Sequence, residues 1–199
     1  MISDSVVSDW KNRILLWVDI PDEQWRRFQS LLFPRTLKTG EHLIRAGQRA
    51  TDFGYVASGI LREYYLSPEG AENNKAFCTA GQMTGSYFDL LSEQDSTVNI
   101  QALQDSDLLC GSFESFQKLY DSHPCWERLG RLIAEQMFVR KARREYEFLT
   151  MTASLRYARL CEEQPSLLAN VPQYHIASYL GITPVALSRI RKQKKSPPH

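Results

Sequence analysis

The 199-residue sequence contains no long hydrophobic run. No stretch approaches the roughly 18 apolar residues that a membrane-spanning helix needs. The segment "ILLWV" near the start is too short for the apolar region of a signal peptide. We therefore expect a cytoplasmic protein without a membrane partner. An apolar content of 43%, with nine Tyr and nine Phe, indicates a globular chain with room for one large domain or two small ones.

Cysteine and histidine are both scarce, with four residues of each. The cysteines form no CxxC pair and have no metal-ligand spacing, and they are Cys78, Cys110, Cys125 and Cys161. Only one histidine, His42, lies in the part of the sequence that is rich in predicted strands. A metal-dependent barrel enzyme needs clustered His and Glu ligands on adjacent strands. We therefore expect no metal site, no cofactor and no enzyme activity.

The two parts of the chain carry opposite net charge. Residues 1–123 hold 11 Lys and Arg against 17 Asp and Glu, a net charge of −6. Residues 124–199 hold 13 against 6, a net charge of +7, and no acidic residue follows Glu163. Such an asymmetry indicates a basic end that faces a polyanion, joined to an acidic body. An ordinary solvated basic tail is the alternative explanation.

The residue pattern changes three times along the chain. Apolar residues at helical spacing predict helices over residues 5–34. Between Phe33 and Phe113, turn signals every 7–12 residues separate short stretches rich in Tyr, Phe, Val and Ile, which favours an antiparallel sandwich or barrel. From Pro124 a helical pattern runs for more than twenty residues. Another helix follows, and "PSLLAN" is then expected to be a short connection.

The long helix is predicted to connect the two parts of the protein or to form a dimer interface. Four apolar residues share one of its faces and are the candidate dimer contacts: Trp126, Leu129, Ile133 and Met137. A helix that packs only on its own barrel would show the same pattern. The expected domains are residues 1–122, a sensor; residues 123–148, the dimerisation helix; and residues 149–199, a DNA-binding domain.

The stretch "VPQYHIASYLGITPVALSRIRK" predicts two short helices joined at Gly181. Thr183 is a good helix N-cap, and Pro184 suits the first position of the second helix. The small Ala177 allows two helices to cross closely. This spacing is typical of a helix-turn-helix, whose second helix enters the major groove of DNA. The predicted DNA contacts are Gln173, Thr183, Pro184, Val185, Ser188, Arg189, Arg191, Lys192, Lys194 and Lys195.

Four stretches of the chain together resemble the Crp/Fnr family: "LKTGEHLIRAGQ", "YVASGILREYYLSPEG", "TAGQMTGSYFDLL" and "IASYLGITPVALSRIR". The resemblance covers nearly the whole sequence. It implies an α+β fold with an N-terminal antiparallel β-roll of jelly-roll type, flanking helices, a long dimerisation helix and a C-terminal helix-turn-helix with a reduced wing. It also implies a homodimeric transcription regulator that binds double-stranded DNA. RNA polymerase and an unidentified small-molecule effector are further candidate partners.

The segment that binds cyclic AMP in that family departs from the family pattern here. The family has a Gly-Glu pair that holds the ribose and an Arg about nine residues later that pairs with the phosphate. In this sequence Ser86 follows Gly85, and the position of the arginine falls at Asp95 or Ser96. A cyclic phosphate without a cation would be poorly compensated. We therefore expect an effector other than cyclic AMP or none, with effector-pocket candidates at Gly85, Ser86, Tyr87, Asp95, Ser96 and Thr97.

Other sensor chemistries of the family have little support in the residues. The first cysteine is Cys78, so the N-terminal iron–sulfur cluster of some members is not expected. A thiol-based redox sensor is an alternative, although the apolar surroundings of the cysteines favour buried structural thiols. A small-molecule-binding barrel with a dimerising helical tail and no DNA role is a further alternative. The acid-free terminus disfavours that last possibility.

Overall fold

The computed structural model describes residues 4–195, with side chains as far as residue 193. The helices are α1 (Asp4–Leu15), α2 (Asp22–Gln29), α3 (Tyr87–Leu91), α4 (Phe113–Gln117), α5 (Pro124–Thr150), α6 (Ala153–Glu163), α7 (Pro165–Asn170), α8 (Gln173–Tyr179) and α9 (Pro184–Lys195). The strands are β1 (Leu32–Leu37), β2 (His42–Ile44), β3 (Asp52–Ser58), β4 (Ile60–Leu66), β5 (Glu72–Thr79), β6 (Met83–Thr84), β7 (Asn99–Ala102) and β8 (Ser106–Ser112). The fold is α+β, as predicted.

The strands form an antiparallel β-roll of two four-stranded sheets. One sheet has the strand order β1-β8-β3-β6 and the other β2-β7-β4-β5. Strand β8 pairs with two neighbours, so that Cys110 lies opposite Phe33 on β1 and opposite Gly54 on β3. The interior between the sheets is apolar and includes Val56 and Leu61, both at 0% exposure. The partial alternation in the sequence reflects this arrangement, because each strand turns every second residue inwards.

A second cluster of the same compact part is built largely from aromatic residues. The ring of Phe28 on α2 lies 5.2 Å from the ring of Trp126 on α5 and 6.0 Å from that of Phe116. The indole nitrogen of Trp126 donates a hydrogen bond of 3.0 Å to the side chain of Gln24. Trp126 is completely buried, and a buried aromatic ring of this size contributes strongly to stability. The first half of α5 is therefore part of this core.

This core corrects part of the predicted dimer face. Trp126 and Leu129 are 0% and 2% exposed and pack inside their own chain, so neither side chain is available to a partner. Ile133 packs partly against the same cluster. Only Met137, at 37% exposure, lies largely at the surface. The shared apolar face of these residues reflects packing on the chain's own core, which was the alternative explanation of the pattern.

The chain divides into two compact units. The first unit comprises Met1–Glu63 and Phe77–Met137, and the second comprises Tyr64–Ala76 and Phe138–His199. The second unit thus contains the end of the β4–β5 hairpin and the second half of α5 in addition to α6 through α9. These limits differ from the predicted boundaries at residues 122 and 148, because contacts in space join the hairpin to the C-terminal helices.

Two further features concern the chain outside the β-roll. The segment "PSLLAN", expected to be a connection, is helix α7, which begins at Pro165 and buries Leu167 to 1% exposure. Proline suits the first turn of a helix, and the burial of the leucine side chain stabilises this short helix. Among residues 4–195, none of the helices combines the length and the apolar content needed to cross a membrane.

Candidate functional site

The C-terminal helices α8 and α9 form a tight helix pair. The turn between them is closed by backbone hydrogen bonds from Gly181 N to Ser178 O and from Ile182 N to Ala177 O, both 3.0 Å. The hydroxyl of Thr183 accepts a 3.2 Å hydrogen bond from the backbone N–H of Ala186, as an N-cap residue does. Pro184 is the first residue of α9. The predicted cap and the predicted first residue are therefore both found.

Glycine is required at the turn of this helix pair. Gly181 has φ of +69°, a left-handed conformation that other residues adopt at a cost. A Cβ atom at this position would lie only 2.8 Å from Cε1 of Phe148. The backbone of the turn therefore packs closely against the Phe148 ring, and a larger residue at position 181 would clash with it.

Two arginines hold the C-terminal end of α8 against α5 and α6. Arg144 and Arg156 flank the ring of Phe148, with their guanidinium carbons 4.6 and 4.4 Å from the ring centre. Arg144 donates a 3.0 Å hydrogen bond to the carbonyl of Tyr179, and Arg156 donates one of 3.0 Å to that of Leu180. These carbonyls have no partner within their helix, so the arginines satisfy them and complement the helix dipole.

The β4–β5 hairpin of the second unit is also hydrogen-bonded to α8, at Ser178 and His175. The backbone N–H of Asn74 donates to the hydroxyl of Ser178 at 2.9 Å, and that hydroxyl donates to the carbonyl of Glu72 at 3.0 Å. The side-chain amide of Asn74 donates to the carbonyl of His175 at 3.1 Å. Helix α8 is thus held by the hairpin as well as by the two arginines, although nothing in the sequence pattern predicts this contact.

Helix α9 buries one face and exposes the other. Leu187 is 1% exposed and packs in a core that includes Ile176 and Ala177, both fully buried. The outward face carries Val185 and the residues three, four and seven positions after it, which are Ser188, Arg189 and Lys192. Val185 is 62% exposed, and no hydrogen bond or ion pair among the described side chains involves Arg189. The outward face can therefore contact a ligand without rearrangement.

The structure brings most of the predicted DNA-contacting residues together. A groove on the helix pair is lined by Gln173, Pro184, Leu187, Ser188, Arg191 and Lys192. The side-chain oxygen of Gln173 is buried there and accepts no hydrogen bond from the described residues. Thr183 and Arg189 lie on the same helix pair. The side chains of Lys194 and Lys195 lie outside the described residues, although the backbone of both is part of α9.

The predicted effector segment is organised around a carboxylate that the sequence interpretation missed. Asp89 on α3 is 0% exposed. Its oxygens accept hydrogen bonds from the Gln94 amide at 2.8 Å, the Thr97 backbone N–H at 2.8 Å and the Thr97 hydroxyl at 3.0 Å. The hydroxyl of Ser86 also donates to Asp89. Burial alone would raise the pKa of this carboxyl, but the hydrogen bonds outweigh it and hold the pKa below its ordinary value.

The other effector candidates are only partly brought together. Ser86 and Thr97 meet at Asp89, and Gly85 precedes them with φ of +149°. Tyr87 packs its ring against Phe113 at 5.9 Å. Asp95 is exposed, and the backbone N–H of Ser96 is used by the carbonyl of Gln48 at 2.7 Å. The residues therefore do not form one pocket.

The arrangement around Asp89 has a chemical consequence for anionic ligands. Hydroxyl and backbone N–H groups are donors that could bind a phosphate, but Ser86 and Thr97 already donate to a carboxylate. An anion at this position would compete with Asp89 and would be repelled by its charge. A signal for this residue exists in the sequence, because Ser86-x-x-Asp89 fits the pattern of a helix-capping pair.

A separate apolar surface lies on the second half of α5. It comprises Phe138, Val139, Ala142, Tyr146 and Leu149, which we call the exposed seam. Phe138 and Leu149 are 72% and 78% exposed, and Val139 and Tyr146 are 57% and 60% exposed. From Val139 to Leu149 the spacing is three, four and three residues, as in the contact stripe of a coiled coil. This surface, rather than the buried residues near Trp126, is available to a second helix.

Three of the four cysteines are buried, and two of these have a raised pKa. Cys78, Cys110 and Cys125 are buried, and Cys161 is partly buried. Burial raises the pKa of Cys110 to about 11 and also raises the pKa of Cys125. The thiolate is the reactive form, so a raised pKa disfavours oxidation near neutral pH. Among the described residues, no group of three or more His, Cys, Asp and Glu could hold a metal ion.

Comparison with known families supports the sensor part of this interpretation. Residues 34–123 match the family model described as the cyclic nucleotide-binding domain. This range covers the β-roll from β1 to β8 and ends just before α5. The segment that contains Ser86, Asp89 and Thr97 lies within it. No match was found among the curated proteins.

Several solved structures share the fold. FixK2 from Bradyrhizobium japonicum is 23% identical with a TM-score of 0.69, over 81% of this chain and 83% of that one. CLP, a c-di-GMP-responsive global regulator from Xanthomonas campestris, is 18% identical with a TM-score of 0.66, over 85% and 89%. The catabolite activator protein of Thermus thermophilus is 22% identical with a TM-score of 0.55, over 89% and 85%. At these identities the likeness establishes the fold.

Proposed function

We propose that this chain is a homodimeric, DNA-binding transcription regulator whose helix α9 lies in the major groove. The observation that carries the proposal is the outward face of α9. It presents Val185, Ser188, Arg189 and Lys192 on a capped helix, next to a groove lined by further polar and basic residues. No acidic residue follows Glu163, so the face is not neutralised by its own segment. A helix of this kind fits the geometry of helix-turn-helix recognition.

The exposed seam of α5 supports the dimeric part of the proposal. Four large apolar side chains with more than half of their surface exposed are an unfavourable arrangement for an isolated helix in water. Pairing with the same seam of a second copy would bury them, and it would place two copies of α9 on one DNA molecule. A symmetric dimer reads two half-sites about one helical turn apart.

The β-roll would then act as a sensor for an effector other than cyclic AMP, or would no longer bind one. Residues 34–123 match a cyclic nucleotide-binding domain, but the donors of Ser86 and Thr97 are used by Asp89. No arginine lies between Arg62 and Arg128 to compensate a bound phosphate. Both observations disfavour a cyclic phosphate at this place.

The DNA-binding proposal is tested by a gel shift of the purified protein on the DNA upstream of its own gene, at two salt concentrations. We expect specific retardation that weakens as salt is raised, because counterions are released from the phosphates on binding. Arg189→Ala should weaken specific binding about 10-fold to 100-fold, since a side chain that contacts a base edge contributes roughly 1–3 kcal/mol. The apparent Kd of each variant on specific and unrelated DNA is the measurement.

The matched control for that experiment is Arg128→Ala. Arg128 is an exposed arginine on the first half of α5, so its removal changes the net charge equally without touching α9. We expect its Kd to stay close to that of the original protein. Retardation that is absent even at low salt, or that is equal for unrelated DNA, would show that the chain is not a sequence-specific DNA-binding protein.

Cyclic AMP should leave the Tm of the full chain unchanged. A ligand at 100 times its Kd stabilises the folded state by about 2.7 kcal/mol, which corresponds to a rise of roughly 5–10 °C for a chain of this size. We expect no such rise, because Asp89 already occupies the donors of the segment. A thermal melt with increasing cyclic AMP, and with adenosine monophosphate as the control, measures this. A saturable rise with cyclic AMP alone would contradict the assignment.

A further inference from the structure

Helix α9 begins with two exposed residues that have no polar side-chain group. Pro184 is its first residue and Val185 its second, and Val185 is 62% exposed. Arg189 follows one helical turn later on the same face. We propose, on the basis of the proposed DNA-binding function, that Val185 recognises the methyl group of a thymine in the major groove and that Arg189 reads a guanine of the same half-site.

The chemistry of the major groove leaves one base feature that a valine can recognise. Thymine alone presents a methyl group there, beside its O4 acceptor, whereas the other bases present only hydrogen-bond donors, acceptors and ring C–H groups. The two methyl groups of Val185 can bury that methyl group by apolar contact. Against cytosine or adenine, the same valine would cover an amino donor without giving it a partner, which is unfavourable. Val185 therefore selects thymine both by attraction and by exclusion.

Arg189 supplies the complementary contact. Its guanidinium group can donate two hydrogen bonds to O6 and N7 of guanine, the most common specific contact of arginine in DNA complexes. None of the hydrogen bonds and ion pairs among the described side chains involves Arg189, so none has to be broken first. Ser188 lies beside it on the exposed face and can donate to or accept from either neighbouring base.

Helix geometry gives the spacing between the two recognised bases. Residues 185 and 189 are four positions apart, which corresponds to about 6 Å along a helix axis. Successive base pairs of B-DNA are separated by about 3.4 Å on each strand. A helix that lies along the groove therefore places the thymine and the guanine roughly two base pairs apart. Leu187 and Lys192 offer no equivalent contact, because Leu187 is buried and Lys192 is charged.

The test is a pair of selections from random DNA with the full-length protein. One pool contains thymine, and the other contains uracil in its place, which differs only by the missing methyl group. We expect the thymine pool to yield half-sites with a conserved thymine about two positions from a conserved guanine. The uracil pool should keep the guanine and lose the preference at the other position. On a fixed operator, replacing both thymines by uracil should weaken binding about 15-fold, about fourfold for each methyl group.

Variants assign the effect to the side chain. Val185→Ser removes both methyl groups, so it should bind thymine and uracil operators equally. Arg189→Ala should lose the guanine preference and keep the thymine effect. Tyr174→Ala is the control, because it removes an exposed aromatic side chain from α8. It should keep both the guanine preference and the thymine effect. Because Val185 and Tyr174 are both exposed, neither change should alter the Tm of the protein.

The outcomes separate this inference from the function on which it rests. Selected sites without a thymine preference, or equal affinity for the thymine and uracil operators, would overturn the role of Val185 while leaving sequence-specific binding intact. A thymine effect that persists in Val185→Ser would also overturn it. Failure of both pools to yield any enriched sequence would overturn the DNA-binding function itself, and the inference with it.

Discussion

Replacing Phe138 and Leu149 together with glutamate should convert the proposed dimer into monomers and weaken binding to a two-half-site operator by about 100-fold to 10,000-fold. The loss is large because the second half-site contact of a linked pair adds avidity of that order without any new contact at each site. Each half-site should still be recognised weakly by the monomer. Phe138 and Leu149 are the two most exposed members of the seam, so the substitutions should not disturb the folded chain itself.

The measurement is the mass of the particle by light scattering, followed by the Kd on a full operator and on a single half-site. The matched control is the double change Leu16→Glu and Phe33→Glu, which adds the same charge at exposed apolar positions outside α5. We expect the control to stay dimeric. A seam variant that stays dimeric, or that binds the full operator as tightly as the original protein, would place the dimer interface elsewhere.

The second large effect is expected at Asp89. Asp89→Ala should lower the free energy of unfolding by about 3–5 kcal/mol, because the backbone N–H of Thr97 and three hydroxyl or amide donors lose their acceptor together. Chemical denaturation at neutral pH measures this difference. Asp95→Ala is the control, since Asp95 belongs to the same segment but is exposed. If Asp89→Ala lowered the free energy of unfolding no more than Asp95→Ala does, the stabilising role of the hydrogen bonds to Asp89 would be contradicted.

The same carboxyl predicts a dependence of stability on pH. The pKa of Asp89 is lower in the folded than in the unfolded state, so the folded protein holds the ionised form more strongly. The stabilisation from ionised Asp89 is fully present above the ordinary carboxyl pKa of about 4. It is lost as the pH falls through the lower pKa that Asp89 has in the folded protein. The original protein should therefore lose more of its free energy of unfolding below about pH 4 than Asp89→Ala does. If the free energy of unfolding fell equally steeply with pH in both proteins, the lowered pKa of Asp89 would be contradicted.

The architecture was largely predictable because it depends on periodic patterns. The spacing of apolar residues indicated the β-rich region and the long helix from Pro124, and the structure has both. The Thr183–Pro184 start of α9 followed from local rules of helix capping, and it is also observed. Such patterns are readable because they depend on residues close together in the sequence.

The errors arose where a pattern has two physical explanations. The apolar face that contains Trp126 and Leu129 fits either a dimer interface or the chain's own core, and only the packed structure separates the two. The long-range bond between Asn74 and His175 joins residues about 100 positions apart, so no local pattern indicates it. Asp89 had a local signal, but its burial depends on Gln94 and Thr97 folding back over it.

The bonds between the β4–β5 hairpin and α8 limit how this protein can be divided or recombined. A fragment of residues 149–199 would lack Asn74, Arg144 and Phe148, which together support both ends of α8 and the turn at Gly181. The helix pair α8 and α9, which we propose to bind DNA, is therefore not an independent unit that can be separated from these residues. Moving it into another regulator would require the hairpin and the second half of α5 to move with it, and inheritance of a new DNA target by domain exchange would face the same constraint.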